Sequence, residues 1–173
     1  MDWMVWNWDD ELKKYVNEIT AKVDCIILGR KLAQGFIPHW ASVASNPDNP
    51  EFAFGKKMND TPKVVFSKTL KKSEWTNTKL ANGEISDEIS QLKKQKGSDI
   101  IVYGGGSFVS SLLKAGLIDE FHFFINPAIL GKGMPIFKSL DKKQNLKLVK
   151  SISFKCGIVL LCYSLIQIDV GSR

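Results

Sequence analysis

Three consecutive glycines, Gly104, Gly105 and Gly106, stand between the apolar run Ile100-Ile101-Val102-Tyr103 and a stretch with helical periodicity, and Ser107 follows them. A strand that turns through glycines into a helix leaves backbone N–H groups unpaired at the helix start, with the positive end of the helix dipole behind them. That arrangement suits a phosphate or pyrophosphate. Glycine permits positive φ and close approach of a ligand to the backbone, and Ser107 supplies a capping or donating hydroxyl. Spacing alone leaves a second reading open, a tight strand-to-helix connection with no ligand.

Two other apolar runs end in groups that favour anions: Gly29-Arg30-Lys31 after Cys25-Ile26-Ile27-Leu28, and Ser67-Lys68-Thr69 after Val64-Val65-Phe66. If these runs are parallel strands, their carboxyl ends share one sheet edge with the triple glycine, where ligands of open α/β sheets bind. Arg grips a phosphate with two parallel hydrogen bonds and Lys adds a point charge, so the three segments together suit a dinucleotide carrying an extra phosphate. Gly104 and Gly106 fill the first two positions of the Gly-x-Gly-x-x-Gly dinucleotide fingerprint, but Val109 occupies the third. A standard Rossmann domain is disfavoured.

Near the start, Asp2, Trp3, Trp6 and Trp8 offer aromatic faces and a carboxylate for a flat heterocycle, or else an aromatic cluster for a core or interface. His39 and His122 have no metal-ligand spacing with each other or with the cysteines, so no metal is expected. Cys25, Cys156 and Cys162 are odd in number, lie in or beside apolar runs, and read as packing thiols.

The elements that must hold these groups follow from periodicity. Trp8, Leu12, Tyr15, Val16, Ile19 and Val23 recur at helical spacing behind Asp9, Asp10 and Glu11, and the first buried strand follows directly. The segment from Pro38 to Pro62 holds four of the six prolines and is expected to be a long surface excursion. Ile85, Ile89 and Leu92 mark a helix with acids in its first turn and Lys93, Lys94 and Lys96 at its end, stopped by Gly97. It leads to the strand before the glycines, and Phe108, Val109, Leu112 and Leu113 form the helix after them, capped at Gly116. From Phe121 onward strand-like runs succeed one another without helices, with a Lys155-Cys156-Gly157 turn before the last. The fold class expected is α/β, a mostly parallel mixed sheet with antiparallel C-terminal strands and flanking helices, in one domain over residues 1–173.

Composition excludes more than it identifies. At 173 residues, 44% hydrophobic and 24% charged, the sequence is that of an ordinary globular domain. The formal net charge of +6 comes from scattered lysines with no nucleic-acid-binding motif. There is no apolar run long enough to span a bilayer and no signal-peptide layout, so the expected location is cytoplasmic, without membrane or nucleic-acid partners.

Ile27-Leu28-Gly29-Arg30-Lys31, Val65-Phe66-Ser67-Lys68-Thr69, Val102-Tyr103-Gly104-Gly105-Gly106-Ser107 and Asn126-Pro127-Ala128-Ile129-Leu130-Gly131-Lys132-Gly133 together resemble the dihydrofolate-reductase-like superfamily. Within it they are most similar to the C-terminal reductase domain of bifunctional riboflavin-biosynthesis proteins, over roughly residues 2 to 167. The resemblance implies a three-layer fold and an NADPH cofactor held by Gly29, Arg30, Lys31, Ser67, Lys68, Thr69, Tyr103, Gly104, Gly105, Gly106, Ser107 and Phe108. Asp2, Trp3, Trp6, Pro127 and Gly131 would then lie toward the substrate. The implied reaction is reduction of a planar nitrogen heterocycle or its ribosylamino-pyrimidine derivative, such as 5-amino-6-(5-phosphoribosylamino)uracil, by a homodimer. A non-catalytic NADPH-binding or regulatory protein and a dihydrofolate or pterin reductase are the alternatives. The family's first strand, ending in a Ser-Leu-Asp-Gly-like motif, has no counterpart before Asp2-Trp3-Met4. Lys13 falls near the position where dihydrofolate reductase carries a carboxylate, which disfavours folate reduction. No catalytic proton donor is identified.

Overall fold

The fold was analysed in a computed structural model that describes residues 3–104, 106–133, 135–137 and 140–166. Asp9 starts the first helix by accepting a hydrogen bond from the Leu12 amide at 2.9 Å, and α1 then runs over Asp10–Ala21. Its apolar stripe buries Leu12 and Tyr15, with Val16 and Ile19 beside them, against Phe154, Ile158 and Leu160. Each such aliphatic side chain removed from water contributes about 1.5–3 kcal/mol.

β1 (Val23–Gly29) is the continuous apolar run that the sequence leads one to expect. It alternates sides, so Ile26 and Leu28 face one layer and Ile27 the other. The first layer contains α2 (Arg30–Ala44) and α3 (Phe52–Asp60), which bring Ala33, Ile37 and Met58 to the core. The other contains α4 (Ile85–Lys94) and α5 (Gly106–Lys114), which bring Ile89 and Leu112. Between the layers lie β2 (Lys63–Phe66), β3 (Thr78–Ala81) and β4 (Asp99–Val102), all parallel, in the order β3-β2-β1-β4.

The expected excursion from Pro38 to Pro62 is instead largely helical. Pro38 lies inside α2, on its exposed side, where the Gln34 carbonyl it leaves unpaired is on a turn that also faces water. The burial of Ile37 and Val43, and the packing of Trp40 against Phe36 and Phe54, outweigh the lost bond. Gly55 of α3 sits so close to α2 that a Cβ there would run into the Val43 side chain. β3 was not legible in the sequence: it is four residues long and only Ala81 is buried. Nor does Gly97 end α4, whose C-cap is Gln95. Gly97 instead makes room for the Asp24 carboxylate, which accepts from the Ser98 amide.

The antiparallel ending comprises β5 (Glu120–Ile125), β6 (Leu146–Ser153) and β7 (Val159–Leu165), in the order β5-β7-β6. Gly157, at φ +91°, makes the turn before β7. The expected parallel core and antiparallel ending are both present, but they are hydrogen-bonded as two sheets rather than one mixed sheet. Among the described strands, β4 pairs only with β1 and β5 only with β7. Both border one cleft of about 1800 Å³.

Candidate functional site

Because β1, β2 and β4 are parallel neighbours, Gly29, Phe66 and Val102 end on one edge of the sheet. The residues that follow them are the three segments singled out by chemistry, Gly29 to Lys31, Ser67 to Thr69 and Tyr103 to Phe108, so topology brings them to the same edge. Gly105 and Asp2 lie outside the described residues.

Phe108 of α5 ties the edge together. A Cβ at Gly29 would lie 2.9 Å from the Phe108 Cβ, and the Phe66 and Phe108 rings are 4.9 Å apart between centroids. Only glycine at 29 allows α5 to start this close to α2. Gly104 differs. It is exposed, its φ is not positive, and among the described residues other than its chain neighbours the nearest atom to a Cβ there would be Leu32 Cδ2 at 3.8 Å. Packing within the chain does not require glycine at that position, and a bound group resting on the backbone would.

The charges at the helix starts separate into two kinds. α1 carries Asp9, Asp10 and Glu11, α3 has Glu51 at its N-cap, and α4 has Asp87 and Glu88 in its first turn. Such acids complement the positive end of a helix. Three helices begin at this sheet edge: α4, after β3, is one of those with acids, whereas α2 and α5, after the neighbouring strands β1 and β4, carry no acid in the first turn, and α2 begins with Arg30 and Lys31. Cations at a helix N-terminus are unfavourable by about 0.3–1 kcal/mol each. An anion bound there reverses that sign.

Not every expected residue is available to a ligand. Ser67 is buried, and its hydroxyl oxygen accepts from the amides of Thr69 and Leu70 at 3.1 and 3.0 Å. Asn82 holds the same turn by donating to the Ser67 and Leu70 carbonyls. Ser67 therefore shapes the loop, while Lys68 and Thr69 are exposed on it. Tyr103 points inward: its hydroxyl donates to Met58 Sδ at 3.7 Å, its ring lies 5.2 Å from that of Phe36, and burial pushes its pKa up to about 12. Arg30 is half-buried, and Lys31 and Ser107 are exposed.

Of the expected substrate residues, Trp3 and Trp6 are exposed near the chain start, and the Val5 amide between them donates to Asn126 Oδ1 at 2.9 Å. This bond brings the tryptophans toward Pro127. Gly131 takes φ +66° in an open turn, and the loop returns to α5 where Ser110 donates to the Ile136 carbonyl. The cleft is lined by Tyr103, Gly104 and Gly106, and by Trp8, but not by Trp3, Trp6, Pro127 or Gly131.

One constellation in the cleft has no linear signal. The Tyr15 hydroxyl of α1 meets His122 Nδ1 at 2.8 Å, and His122 Nε2 meets Glu120 Oε1 at 2.5 Å. Cys162 is directly opposite His122 on β7. Burial, then the neighbouring Cys162 and Glu120, push the Tyr15 pKa up to about 12, and burial also raises that of Cys162. All three cysteines are free.

The RibD C-terminal domain family matches residues 2–160. Uncharacterized protein YyaP of Bacillus subtilis is 32% identical over 166 residues, covering 94% of this chain and 83% of that protein. A crystal structure described as a riboflavin biosynthesis protein from a Shewanella species superposes with a TM-score of 0.69 at 22% identity, over 96% of this chain and 88% of that one. The diaminohydroxyphosphoribosylaminopyrimidine deaminase/5-amino-6-(5-phosphoribosylamino)uracil reductase of Thermotoga maritima superposes with a TM-score of 0.63 at 17% identity. This chain spans 50% of its length. At these identities the structural likeness establishes a shared fold, and the family match and the Bacillus relative go further: the chain is a member of the RibD C-terminal domain family, with the dihydrofolate-reductase-like fold.

Proposed function

We propose that the protein is an NADPH-dependent reductase acting on a planar nitrogen heterocycle, with a ribosylamino-pyrimidine of riboflavin synthesis as the first substrate to test. The observation that carries this reading is the pair of acid-free helix N-termini, α2 with Arg30 and Lys31 and α5 behind the glycines, at one sheet edge. Family membership adds the reductase class. Bound there, NADPH would supply a hydride. The α5 amides and the bare backbone at Gly104 would receive the pyrophosphate, with Arg30, Lys31 and Lys68 placed for the additional phosphate. These contacts would fix the cofactor's orientation against the acceptor, which is the protein's principal contribution to such a reaction.

Titration of the purified chain with NADPH, followed by its fluorescence, tests binding. Oxidation of NADPH in the presence of the ribosylamino-pyrimidine, monitored by loss of absorbance, tests turnover. Saturable binding and substrate-dependent oxidation are expected. Absence of NADPH binding would falsify the reading, and binding without turnover on pyrimidine, pterin or flavin precursors would favour a regulatory protein. A cytoplasmic homodimer belongs to the same proposal, supported by the exposed Leu148 and Val149 of the outer strand β6.

A further inference from the structure

On the β5-β7 ladder, His122 and Cys162 are direct cross-strand partners, and Glu120 stands two residues before His122 on the same face. One carboxylate oxygen, one imidazole nitrogen and one thiol sulfur thereby lie within 4.8 Å of one another. Linear spacing gives no sign of this group, because the histidine and cysteine are forty residues apart in sequence and are joined only by strand pairing. We infer that Glu120, His122 and Cys162 form a binding site for a divalent transition-metal ion of zinc type, with the fourth position open to the cleft.

Several features fit that ion. Carboxylate, imidazole and thiolate are its three protein ligand types, at about 2.0–2.3 Å from the metal. Tetrahedral ligand atoms at such distances stand about 3.3–3.8 Å apart. Glu120 already meets His122 Nε2 at 2.5 Å, so the adjustment to metal distances is a small opening of that pair, which the 56% exposed Glu120 side chain can make, and an approach of the Cys162 sulfur by side-chain rotation on the ladder. Cys162 is buried, so the soft ligand sits on the inner side and the carboxylate on the solvent side. The cleft is lined by all three and gives an entry path.

The remaining histidine nitrogen is already engaged. Metal-bound imidazoles almost always have their second nitrogen held by a hydrogen bond, and the Tyr15 hydroxyl, on the most deeply packed turn of α1, meets His122 Nδ1 at 2.8 Å. Without metal, a neutral imidazole beside the acceptor-only Glu120 carboxylate takes the tautomer in which Nε2–H donates to Glu120 and Nδ1 accepts from Tyr15. With metal, Nε2 turns its lone pair to the ion, and Nδ1 carries the proton and donates to the Tyr15 oxygen. Histidine stays neutral, Glu120 remains a carboxylate, and the proton of the Cys162 thiol goes to solvent. Two ligand charges then balance the two of the ion. The Lys150 ammonium, which stands over the Tyr15 ring at 5.3 Å, therefore faces a site with no net charge.

The experiment uses the purified chain with Zn2+ by calorimetry and Co2+ by absorption. One ion per chain is expected, with a cobalt–thiolate charge-transfer band that disappears in Cys162→Ser and persists in Cys25→Ser and Cys156→Ser. Tyr15→Phe should weaken binding by about 10- to 100-fold while keeping the band. If Cys162→Ser does not fold, Glu120→Gln, at an exposed position, gives the same test through loss of affinity. No saturable binding would overturn the inference, as would a band unaffected by Cys162→Ser, affinity unaffected by Glu120→Gln, or a band that follows Cys25 or Cys156. NADPH binding is read separately, so either result leaves the reductase proposal to its own test.

Discussion

Gly29 and Phe108 meet where the carboxyl end of β1 touches the first turn of α5, and a Cβ on residue 29 would come within 2.9 Å of the phenylalanine Cβ. Gly29→Ala must therefore push α5 away from α2. Overpacking of this kind costs about 1–3 kcal/mol. Urea unfolding should register that loss, and NADPH titration should show weaker binding because the two helix ends proposed to receive the cofactor's phosphates have moved apart. Unchanged stability would mean that Phe108 yields without cost.

Gly104→Ala tests the opposite situation. Among the described residues beyond its chain neighbours, its Cβ would meet no atom closer than 3.8 Å, so the fold should tolerate it to within about 0.5 kcal/mol. The expected result is wild-type urea unfolding with a large loss of NADPH affinity. Full retention of affinity would remove the backbone at 104 from the cofactor site.

Arg30→Gln and Lys31→Gln should change stability and binding in opposite directions. Each removes a cation from the positive end of α2, so the ligand-free protein should gain up to about 0.3–1 kcal/mol. NADPH affinity should fall, and its dependence on salt should become shallower. Calorimetric melting with and without NADPH reads both effects. Parallel losses of stability and affinity would show that the two cations serve the fold.

Asp9 couples the start of α1 to the turn before β7, accepting from the Leu12 and Cys156 amides at 2.9 Å each. These bonds, that of Leu12 first, hold its carboxyl below the ordinary 3.8. Its folded-state pKa is depressed, so its contribution is complete above the unfolded value and is lost as pH falls through the lowered folded one. Urea midpoints of wild type and Asp9→Asn should therefore differ at neutral pH and converge below about pH 3.8. A constant gap across that range would contradict the assignment.

Leu148 and Val149, each more than half exposed on the outer strand of the antiparallel sheet, are where a homodimer would join. Light scattering should give twice the chain mass for wild type and the chain mass for the double variant Leu148→Lys, Val149→Lys. A monomeric wild type would rule the dimer out.

Much of the candidate site's arrangement was legible because it is local. Gly29-Arg30-Lys31 and Gly104 to Ser107 each sit where an apolar run stops, and the parallel pairing of those runs does the rest. The helices between Pro38 and Pro62 were not legible, because proline was read as a breaker while the inward-facing Ile37, Val43 and Met58 decided the outcome. The inward role of Tyr103 and the structural role of Ser67 depend on Met58, Phe36 and Asn82, which are far away in sequence. The same holds for Glu120, His122 and Cys162, whose proximity is a property of strand register.

The edges of β4 and β5 along one cleft, unpaired among the described strands, also bear on how the protein behaves in concentrated solution. Backbone amides on those edges should exchange with deuterium far sooner than those of β1, which is paired on both sides. An unpaired edge is a template for any extended chain, and here two of them flank the same opening. Whatever fills that opening protects the molecule from self-association, so the proportion of aggregate formed on heating becomes a measure of how well the cleft is occupied.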